Sequence, residues 1–423
     1  MSTRRDGPVV CVVGEAGREH ALAVALKESA AEVIVAPGNS GIAAFPGAEG
    51  IRVSSISPEA LEADLFVIGP EANLVRGLAD ELRAAGKLVL GPGAEGARLE
   101  GSKVWMKSIL DRANVPTARW RSFSDPIQAK AFLSSLKPPY VIKTDGLAAG
   151  KGVLVTNALE EAESDVEAKL AGRAFGEAGR VVVIEEAMAG PEVSLLALCD
   201  GRKAVPLPPA RDAKRLQDGD RGPNTGGMGA FSPVPDVTAA VQEEIVERCI
   251  EPTLAALQRE GIDYRGVLYA GCMLTEEGPK VVEFNVRFGD PEAQVVLPRL
   301  GGDLTGLLME AAQGDLRSFA QVRPEAAVCV VLASEGYPVR SRRNQPMVAP
   351  KPFPGVTILQ AGSRMDKEGN LLTNGGRVLD VVATGSDLAQ ARERAYEAVA
   401  AHAWPGAQWR NDIAGHAVSG GGG

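Results

Sequence analysis

The sequence predicts an α/β protein with an N-terminal open parallel sheet, an α+β core that carries a small inserted domain, and a small C-terminal α/β domain. Short apolar segments alternate with helical periodicity over the first 100 residues, and the same alternation returns after residue 322. Between these regions, glycine-rich loops interrupt the strands. The 423 residues suffice for several domains. We expect domains over 1–102, 103–189, 190–321 and 322–423.

The composition is that of a globular protein without a nucleic-acid or membrane partner. Hydrophobic residues make up 45% and charged residues 23% of the chain. The net charge of −9 argues against nucleic acids and acidic membranes as partners. No apolar run reaches the roughly 18–20 residues of a membrane helix, and the N-terminus has no signal-peptide core. We therefore expect a cytoplasmic protein.

The five cysteines indicate a reducing compartment. They are scattered, form no Cys-x-x-Cys pair and lie mostly in apolar segments. We expect buried, reduced thiols at Cys11, Cys199, Cys249, Cys272 and Cys329.

The N-terminal elements predict a ligand site at one edge of the first sheet. Strands are predicted over 9–13, 33–36, 65–68 and 88–90, with a helix over 19–29. Ligands of parallel sheets bind at the carboxyl ends of the strands. Three of these ends carry glycine together with polar residues.

The remaining elements follow from the same periodicities. A helix is predicted over 103–112, followed by strands over 140–143, 153–155 and 181–186. A long loop is expected over 208–235 and a helix over 237–260. The last block contains strands over 327–333, 356–361 and 378–383 and a helix over 387–400.

The segment 281–287 is the most informative part of the chain. Its alternating pattern predicts a strand with Glu283, Asn285 and Arg287 on one face, about 6.6 Å apart. A carboxylate and an amide oxygen are ligands that suit Mg²⁺, which usually takes its remaining oxygens from water and substrate phosphates. A neighbouring guanidinium can hold an anion. A half-solvated edge strand without a function is the alternative.

The loop 145–152 predicts a phosphate site. Its glycines let the backbone approach an anion, and Lys151 adds a charge beside Lys143 of the preceding strand. The spacing excludes a Walker A loop. A hairpin turn with a solvated lysine is the alternative.

Two further segments are candidate binding regions. The strand end at 183–188 offers a backbone edge for a purine, with Met188 against its face and Glu192 near ribose hydroxyls. The glycine-rich loop 223–230, preceded by Asp212, is typical of a binding loop or lid. A surface acidic turn and a disordered connector are the respective alternatives.

The turn Gly17–His20 lies between the first strand and its helix, a position that favours anion binding. No G-x-G-x-x-G pattern is present, so dinucleotide binding is not supported. A lone histidine is more often structural than catalytic, so we assign His20 no general-base role.

Taken together, these motifs resemble the ATP-grasp ligases, and most closely the phosphoribosylamine–glycine ligases (glycinamide ribonucleotide synthetases) of purine biosynthesis. The matching segments are 17–22, 36–39, 69–71, 99–103, 143–152, 222–229 and 283–292. The resemblance implies an ATP-grasp core with a flap-like domain at about 122–189 and ATP between the two. It also implies glycine and phosphoribosylamine as substrates, with ADP, phosphate and glycinamide ribonucleotide as products. We expect a monomer or a weak homo-oligomer.

The resemblance also implies roles for individual residues. ATP would contact Lys103, Lys143, Gly150, Lys151, Gly152, Glu185, Glu186, Met188 and Glu192. Glu283 and Asn285 would hold Mg²⁺, with Mn²⁺ left open as a substitute. The substrate side would comprise Gly17, Arg18, Glu19, His20, Asn39, Gly69, Pro70, Glu71, Asp212, Asn224, Thr225, Gly226, Gly227 and Arg287. Catalysis would rest on Arg287, Asp212 and Lys151, with Arg287 gripping the transferred phosphoryl group or the glycine carboxylate.

The chain departs from the family pattern in places. Ala16 stands where a glycine is usual, Arg211 and Ala213 stand where Gln and His are usual, and the ending 412–416 is shifted by one residue. The second departure leaves a ligase for another carboxylate or amine as an alternative. A non-catalytic nucleotide-binding protein is the other alternative.

Overall fold

The predicted N-terminal parallel sheet is present in the computed structural model, which describes residues 7–45, 47–148 and 152–419. Its strand order is β3-β2-β1-β4-β5, and all neighbours are parallel. The strands are β1 Val9–Gly14, β2 Glu32–Pro37, β3 Ile51–Val53, β4 Leu65–Ile68 and β5 Val89–Leu90. The helices are α1 Gly17–Leu26, α2 Ser40–Ala43, α3 Glu71–Arg76, α4 Leu78–Ala84 and α5 Ala94–Gly101. Strands β1, β2 and β4 are buried on both faces, as expected for a sheet covered by helices on each side.

The inserted domain is a four-stranded antiparallel sheet with two helices, and we call it the flap sheet. Its strand order is β6-β9-β7-β8. The elements from residue 103 onward are α6 Lys103–Ala113, β6 Trp120–Phe123, α7 Pro126–Leu133, β7 Tyr140–Thr144, β8 Val153–Thr156, α8 Leu159–Leu170 and β9 Val182–Glu186. A separate apolar cluster that includes Leu133, Ile142, Val166 and Ile184 fills the space between the sheet and its helices.

The core contains a second antiparallel sheet, with strand order β11-β10-β16-β17. The elements before its long helix are β10 Glu192–Asp200, β11 Ala204–Pro206, β12 Arg211–Asp212, β13 Arg215–Gln217, β14 Arg221–Asn224 and β15 Gly229–Ser232. Helices α9 Ala239–Ile245 and α10 Glu251–Arg259 are joined by a π-helical turn over Val246–Ile250. The elements that follow are β16 Arg265–Thr275, β17 Gly278–Asn285, α11 Ala293–Val296, β18 Leu300–Gly301 and α12 Leu304–Gln313.

The C-terminal region shares its sheet with the core. Strands β12 and β15 of the core join the C-terminal strands in the order β12-β15-β20-β24-β21. The C-terminal elements are β19 Gln321–Val322, β20 Ala326–Ala333, β21 Val356–Gln360, β22 Ser363–Met365, β23 Leu371–Thr373, β24 Arg377–Gly385, α13 Leu388–His402 and α14 Gly415–Ser419. The shared sheet ties the glycine-rich segment before β15 directly to the C-terminal region.

Two local predictions were wrong in part. The expected loop over 208–235 contains four short strands, because its backbone pairs with itself and with β20. The strand predicted over 281–287 ends at Asn285 and contains an irregularity: Gly271 pairs with Glu283, whereas Cys272 pairs with Val281. Val282 is therefore an extra residue, as in a β-bulge.

The predictions about thiols and membrane segments can also be compared with the structure. All five cysteines are free and buried. Among residues 7–45, 47–148 and 152–419, no helix combines the length and apolar character needed to span a bilayer.

Asp200 supplies a test of the core. Its carboxylate, 5% exposed, accepts hydrogen bonds from the backbone N–H groups of Arg202, Lys203 and Leu316 at 2.8, 2.7 and 2.9 Å. We expect Asp200→Asn to lower the free energy of unfolding by about 2 kcal/mol at neutral pH, because the amide leaves a buried donor unpaired. Urea unfolding measures this, with the exposed Asp315→Asn as the matched control.

The same substitution predicts a pH dependence. Burial raises the pKa of Asp200, but the hydrogen bonds from Lys203, Leu316 and Arg202 outweigh it and bring the pKa below its usual value. The stabilisation is therefore complete above the unfolded pKa of about 3.9 and is lost as the pH falls through the folded pKa. The stability difference between wild type and Asp200→Asn should shrink on acidification; a constant difference would contradict the assignment.

Candidate active site

The predicted metal strand, β17, is held beside the flap sheet by its bulge. The bulge frees the carbonyl of Val282 from the regular ladder, and the Nζ of Lys143 donates to it at 3.1 Å. Val281 is bonded on the other side, where its carbonyl accepts from Thr117 Oγ1 at 2.6 Å. The two contacts hold the two residues that precede Glu283, so they fix the backbone from which its side chain extends.

Glu283 lies within a field of positive charge. Burial raises the pKa of its carboxyl group, but Lys214, Lys143 and Lys103 outweigh burial, so that the pKa lies below its usual value. The carboxylate is thus ionised at neutral pH. The three lysines come from different segments, which the structure brings together around one carboxylate.

Arg287 lies between two carboxylates of the N-terminal region. Its Nη2 is 2.8 Å from Glu100 Oε1 and 3.1 Å from Asn285 Oδ1, and its Nε is 3.4 Å from Glu71 Oε2. Burial lowers the pKa of Arg287, but Glu100 and Glu71 raise it by more, so the pKa lies above its usual value and the guanidinium stays charged. Arg287 and Glu71 were predicted as substrate contacts, and here they contact each other.

Lys103 begins helix α6 at the carboxyl end of β7. The Ser102 hydroxyl accepts from the Trp105 N–H at 3.1 Å and caps the helix. Asp145, at the start of the glycine loop, accepts from the Val104 N–H at 2.8 Å and from the Ser102 hydroxyl at 3.0 Å. This double cap fixes the first turn of α6. Burial lowers the pKa of Lys103 although Glu283 opposes the shift.

A buried ionic triad lies one helical turn further along α6. Lys107 Nζ is 3.0 Å from Glu185 Oε1, and Lys143 Nζ is 3.0 Å from Glu185 Oε2. These side chains are 0%, 3% and 6% exposed for Lys107, Glu185 and Lys143. Burial lowers the pKa of Lys107 to about 8. Burial raises the pKa of Glu185, but Lys143 and Lys107 lower it below its usual value. The triad joins α6 to the flap sheet.

A second charged group surrounds Lys214. Its ammonium pairs with Glu192 and lies 3.6 Å from Asp212. Burial raises the pKa of Asp212 to about 7, reinforced by Glu292, Glu192 and Glu283 and opposed by Lys214.

Tyr269 connects this group to the segment after β17. Its hydroxyl donates to Glu292 Oε1 at 2.7 Å and is 2.7 Å from the Ser194 hydroxyl. Glu292 is 3% exposed. Glu192 on β10, Glu283 on β17 and Glu292 all raise the pKa of Asp212 on β12, so these four carboxyl groups lie near one another.

The loop Asn224–Gly227 is clamped by the C-terminal region. Arg377 Nη1 donates to the carbonyls of Gly226 and Asp290 at 2.7 and 2.8 Å. The Gly226 N–H donates to the Tyr337 hydroxyl at 2.9 Å. Gly227 has φ +108°, and a Cβ there would lie 2.4 Å from Pro291 Cδ. The loop therefore sits against residues 290–291, close to the metal strand.

The predicted N-terminal turn is packed without space for larger residues. A Cβ on Gly69 would lie 1.9 Å from Glu19 Oε1, and one on Gly17 would lie 1.8 Å from Asp380 Oδ2. Arg18 pairs with Glu19 at 2.6 Å and donates to the Phe288 carbonyl at 3.3 Å. Close packing against Glu19 and Asp380 therefore favours glycine at these two positions, independently of the substrate contacts predicted for them.

His20 and Asn39 join the N-terminal sheet to the C-terminal region. His20 Nδ1 accepts from the Gln360 N–H at 2.8 Å, and Asn39 Nδ2 donates to the Ala361 carbonyl at 2.9 Å. Burial lowers the pKa of His20 to about 3. The ring is therefore neutral at physiological pH, with Nδ1 occupied by the Gln360 N–H.

The remaining predicted residues lie at the edges of this region. Glu186 pairs with Arg119 at 2.9 Å on the surface, Pro70 precedes α3, and Met188 follows β9. Gly152 lies against Thr144, whereas Gly150 and Lys151 lie outside the described residues. Among the described residues, no three His, Cys, Asp or Glu side chains are grouped to hold a metal ion. The predicted site needs only Glu283 and Asn285 from the protein.

Sequence reasoning missed several residues of this region. Lys107 lies four residues after Lys103, a spacing that places both on one helix face and could have revealed it. Asp145, Glu100 and Glu292 lie in the segments that carried the resemblance, but no role was assigned to them. No local signal could have revealed Arg377, which reaches Gly226 from 151 positions away.

Comparisons with known proteins agree with this architecture. Three family models match, described as the N domain, the ATP-grasp (A) domain and the C domain of phosphoribosylglycinamide synthetase, over residues 9–100, 101–293 and 327–416. Phosphoribosylamine–glycine ligase of Streptomyces coelicolor is 46% identical over 424 residues, covering 97% of this chain and 99% of the relative.

Solved structures give the same result. The crystal structure of phosphoribosylamine–glycine ligase from Thermotoga maritima has a TM-score of 0.82 and 37% identity, covering 96% of this chain and 100% of that one. The biotin carboxylase domain of Hydrogenobacter thermophilus 2-oxoglutarate carboxylase has a TM-score of 0.70 at 17% identity, covering 96% of this chain and 92% of that one, and shows the fold alone. The predicted α/β fold with an ATP-grasp core is confirmed, and the chain belongs to the phosphoribosylglycinamide synthetase family.

Proposed function

We propose that this protein ligates glycine to 5-phosphoribosylamine at the expense of ATP, forming glycinamide ribonucleotide, ADP and phosphate in purine biosynthesis. The arrangement that carries the proposal is Glu283 and Asn285 together on β17, with Lys103, Lys143 and Lys214 close enough to lower the pKa of the Glu283 carboxyl group. Family membership and the name of the Streptomyces coelicolor relative support it. Five buried free thiols support a cytoplasmic location, and a monomer or weak homo-oligomer is part of the proposal.

The chemistry requires positioning and charge neutralisation rather than a protein nucleophile. A glycine carboxylate oxygen attacks the γ-phosphorus of ATP, the bond to the bridging oxygen breaks, and glycyl phosphate and ADP form. The amine of phosphoribosylamine then attacks the acyl carbon, and phosphate leaves with the bonding electron pair. The amine loses one proton in this step. We assign Lys103 and Lys143 to the ATP phosphates. Both ammonium groups lower the pKa of the Glu283 carboxyl group and therefore lie near the proposed metal ligand.

The donor set fits a divalent cation. Glu283 and Asn285 offer one ionised carboxylate and one amide oxygen, ligands that suit Mg²⁺ with phosphate oxygens completing the shell. We propose Mg²⁺, with Mn²⁺ as a substitute, and the cation would neutralise charge on the phosphates. Arg287 remains our candidate for the transferred phosphoryl group or the glycine carboxylate. It would do so from its position between Glu71 and Glu100.

We assign the acceptor to the space near Asp212, the Asn224–Gly227 loop and the Gly17–His20 turn. The clamp of Arg377 on Gly226 and Asp290 supports this assignment, because it brings the loop next to the segment that follows β17. Flap closure would exclude water from the acyl phosphate, which hydrolyses readily.

A coupled assay for ADP with glycine, ATP and freshly generated phosphoribosylamine tests the function. We expect ADP formation that requires all three substrates. Turnover with another amine but not with phosphoribosylamine would favour a different ATP-grasp ligase. Nucleotide binding without ADP formation would instead indicate a non-catalytic protein.

Glu283→Ala tests the metal assignment. We expect loss of Mg²⁺-dependent turnover by at least about a hundredfold with the melting temperature largely retained, because one of two protein ligands is removed. The control is Glu276→Ala, an exposed carboxylate between β16 and β17, which should keep full activity. Unchanged turnover in Glu283→Ala would remove this residue from the metal site.

Arg211→Gln tests whether the departure from the family pattern alters acceptor choice. Arg211 donates to both oxygens of Asp236 at 2.9 and 2.8 Å and to the Glu192 carbonyl at 2.6 Å, so its side chain is already engaged. We expect the KM for phosphoribosylamine to change by less than about twofold and stability to fall by up to about 1 kcal/mol, as for other partly exposed ion pairs. A tenfold change in that KM would show that Arg211 acts on the acceptor.

A further inference from the structure

Lys107 is a buried cation for which the proposed chemistry has no use. Its side chain is fully buried on α6, one turn after Lys103. Lysine is almost never fully buried unless it is paired, because the charge loses its hydration. Its Nζ also donates to Thr117 Oγ1 at 2.7 Å, so its position is held from two directions.

The triad contains two ammonium groups and one carboxylate. Glu185 presents one oxygen to Lys107 and the other to Lys143, each at 3.0 Å. With all three groups ionised, the triad retains one unit of positive charge. Without Lys107, Glu185 and Lys143 would form a neutral pair, and the buried carboxylate would cancel the charge that Lys143 offers to a phosphate.

Lys143 is also the member of the triad that reaches the metal strand. It bonds the Val282 carbonyl, directly before Glu283, whereas Lys107 reaches the same strand only through Thr117 and the Val281 carbonyl. Lys107 is therefore one contact further from β17 than Lys143 is, and any effect of Lys107 on a bound nucleotide would pass through Lys143.

We propose that Lys107 is a positioning residue of the nucleotide site: it pairs with one oxygen of Glu185, so that this carboxylate does not cancel the positive charge that Lys143 presents to the ATP phosphates. This inference rests on the proposed function only in that it requires nucleotide binding. The substrate contact belongs to Lys143, and Lys107 touches neither ATP nor the metal.

The test is MgATP binding by isothermal titration calorimetry at about pH 7 with excess Mg²⁺, without glycine or acceptor. We expect Lys107→Met to bind MgATP about tenfold more weakly, which corresponds to about 1.4 kcal/mol. The double variant Lys107→Met/Glu185→Gln removes the carboxylate as well and leaves Lys143 charged. Because Glu185→Gln keeps the backbone edge predicted to face the purine and changes only a side chain whose two oxygens face Lys107 and Lys143, the double variant should recover affinity to within about threefold of wild type. A merely structural role for Lys107 predicts no such recovery, because the double variant removes more buried contacts.

Lys169→Met is the matched control. Lys169 is also buried, at 1% exposed, and it pairs with Asp165 within α8. The Lys169→Met variant should bind MgATP with the affinity of the wild-type protein. Circular dichroism and melting temperatures verify folding. If Lys107→Met does not fold, Lys107→Gln takes its place, since it keeps a donor for Thr117 while removing the charge, and the same weakening and recovery are expected.

The outcomes distinguish failure of the proposed function from failure of the inference about Lys107. Wild-type protein that does not bind MgATP contradicts the proposed function. Wild-type protein that binds, together with a Lys107 variant of unchanged affinity, overturns the inference alone. A double variant that binds as weakly as the single variant overturns it as well.

Discussion

The carboxylate of Glu185 is the group on which the proposed nucleotide end of the site depends. It is 3% exposed and shared by Lys107 of α6 and Lys143 of the flap sheet, so a single buried anion joins two elements. Lys143 and Thr117 extend the connection to consecutive carbonyls of β17. Buried ions tolerate little displacement, because each loses its compensation when its partner moves. The protein's own contacts therefore hold α6, the flap sheet and β17 in one fixed arrangement.

The bulge at Val282 shows why this arrangement requires an irregular strand. In a regular ladder the Val282 carbonyl would have followed the pairing with β16, whereas the extra residue turns it toward Lys143. Glu283 is partly buried, and Phe284 and Asn285 are buried, so the expected division of this strand into one apolar and one polar face is only approximate. The backbone next to Glu283, the proposed metal ligand, is therefore held by the contact that the bulge makes possible.

Periodicity sufficed for most of the elements and for the prediction that Glu283 and Asn285 share one face of β17, because a strand pattern places alternate residues on one face whatever lies around it; their role as metal ligands stays a prediction. It also sufficed for the parallel N-terminal sheet, whose strands are buried on both faces. It could not predict the bulge, since one extra residue changes register without changing composition. Lys107 escaped because lysine in an amphipathic helix is normally solvated. Arg377 escaped because its contact with Gly226 depends on how the C-terminal sheet extends across β15.

The two ends of the site are built by different means. The proposed nucleotide end is assembled from α6, the flap sheet and β17. The proposed acceptor end combines three regions: Gly17 packs against Asp380, Asn39 donates to the Ala361 carbonyl, and Gly226 is held by Arg377. Because β15 belongs to the C-terminal sheet, displacement of that sheet would move the proposed acceptor loop, while the buried triad is held by α6 and the flap sheet. Acceptor binding should therefore respond to changes in the C-terminal region that leave nucleotide affinity intact.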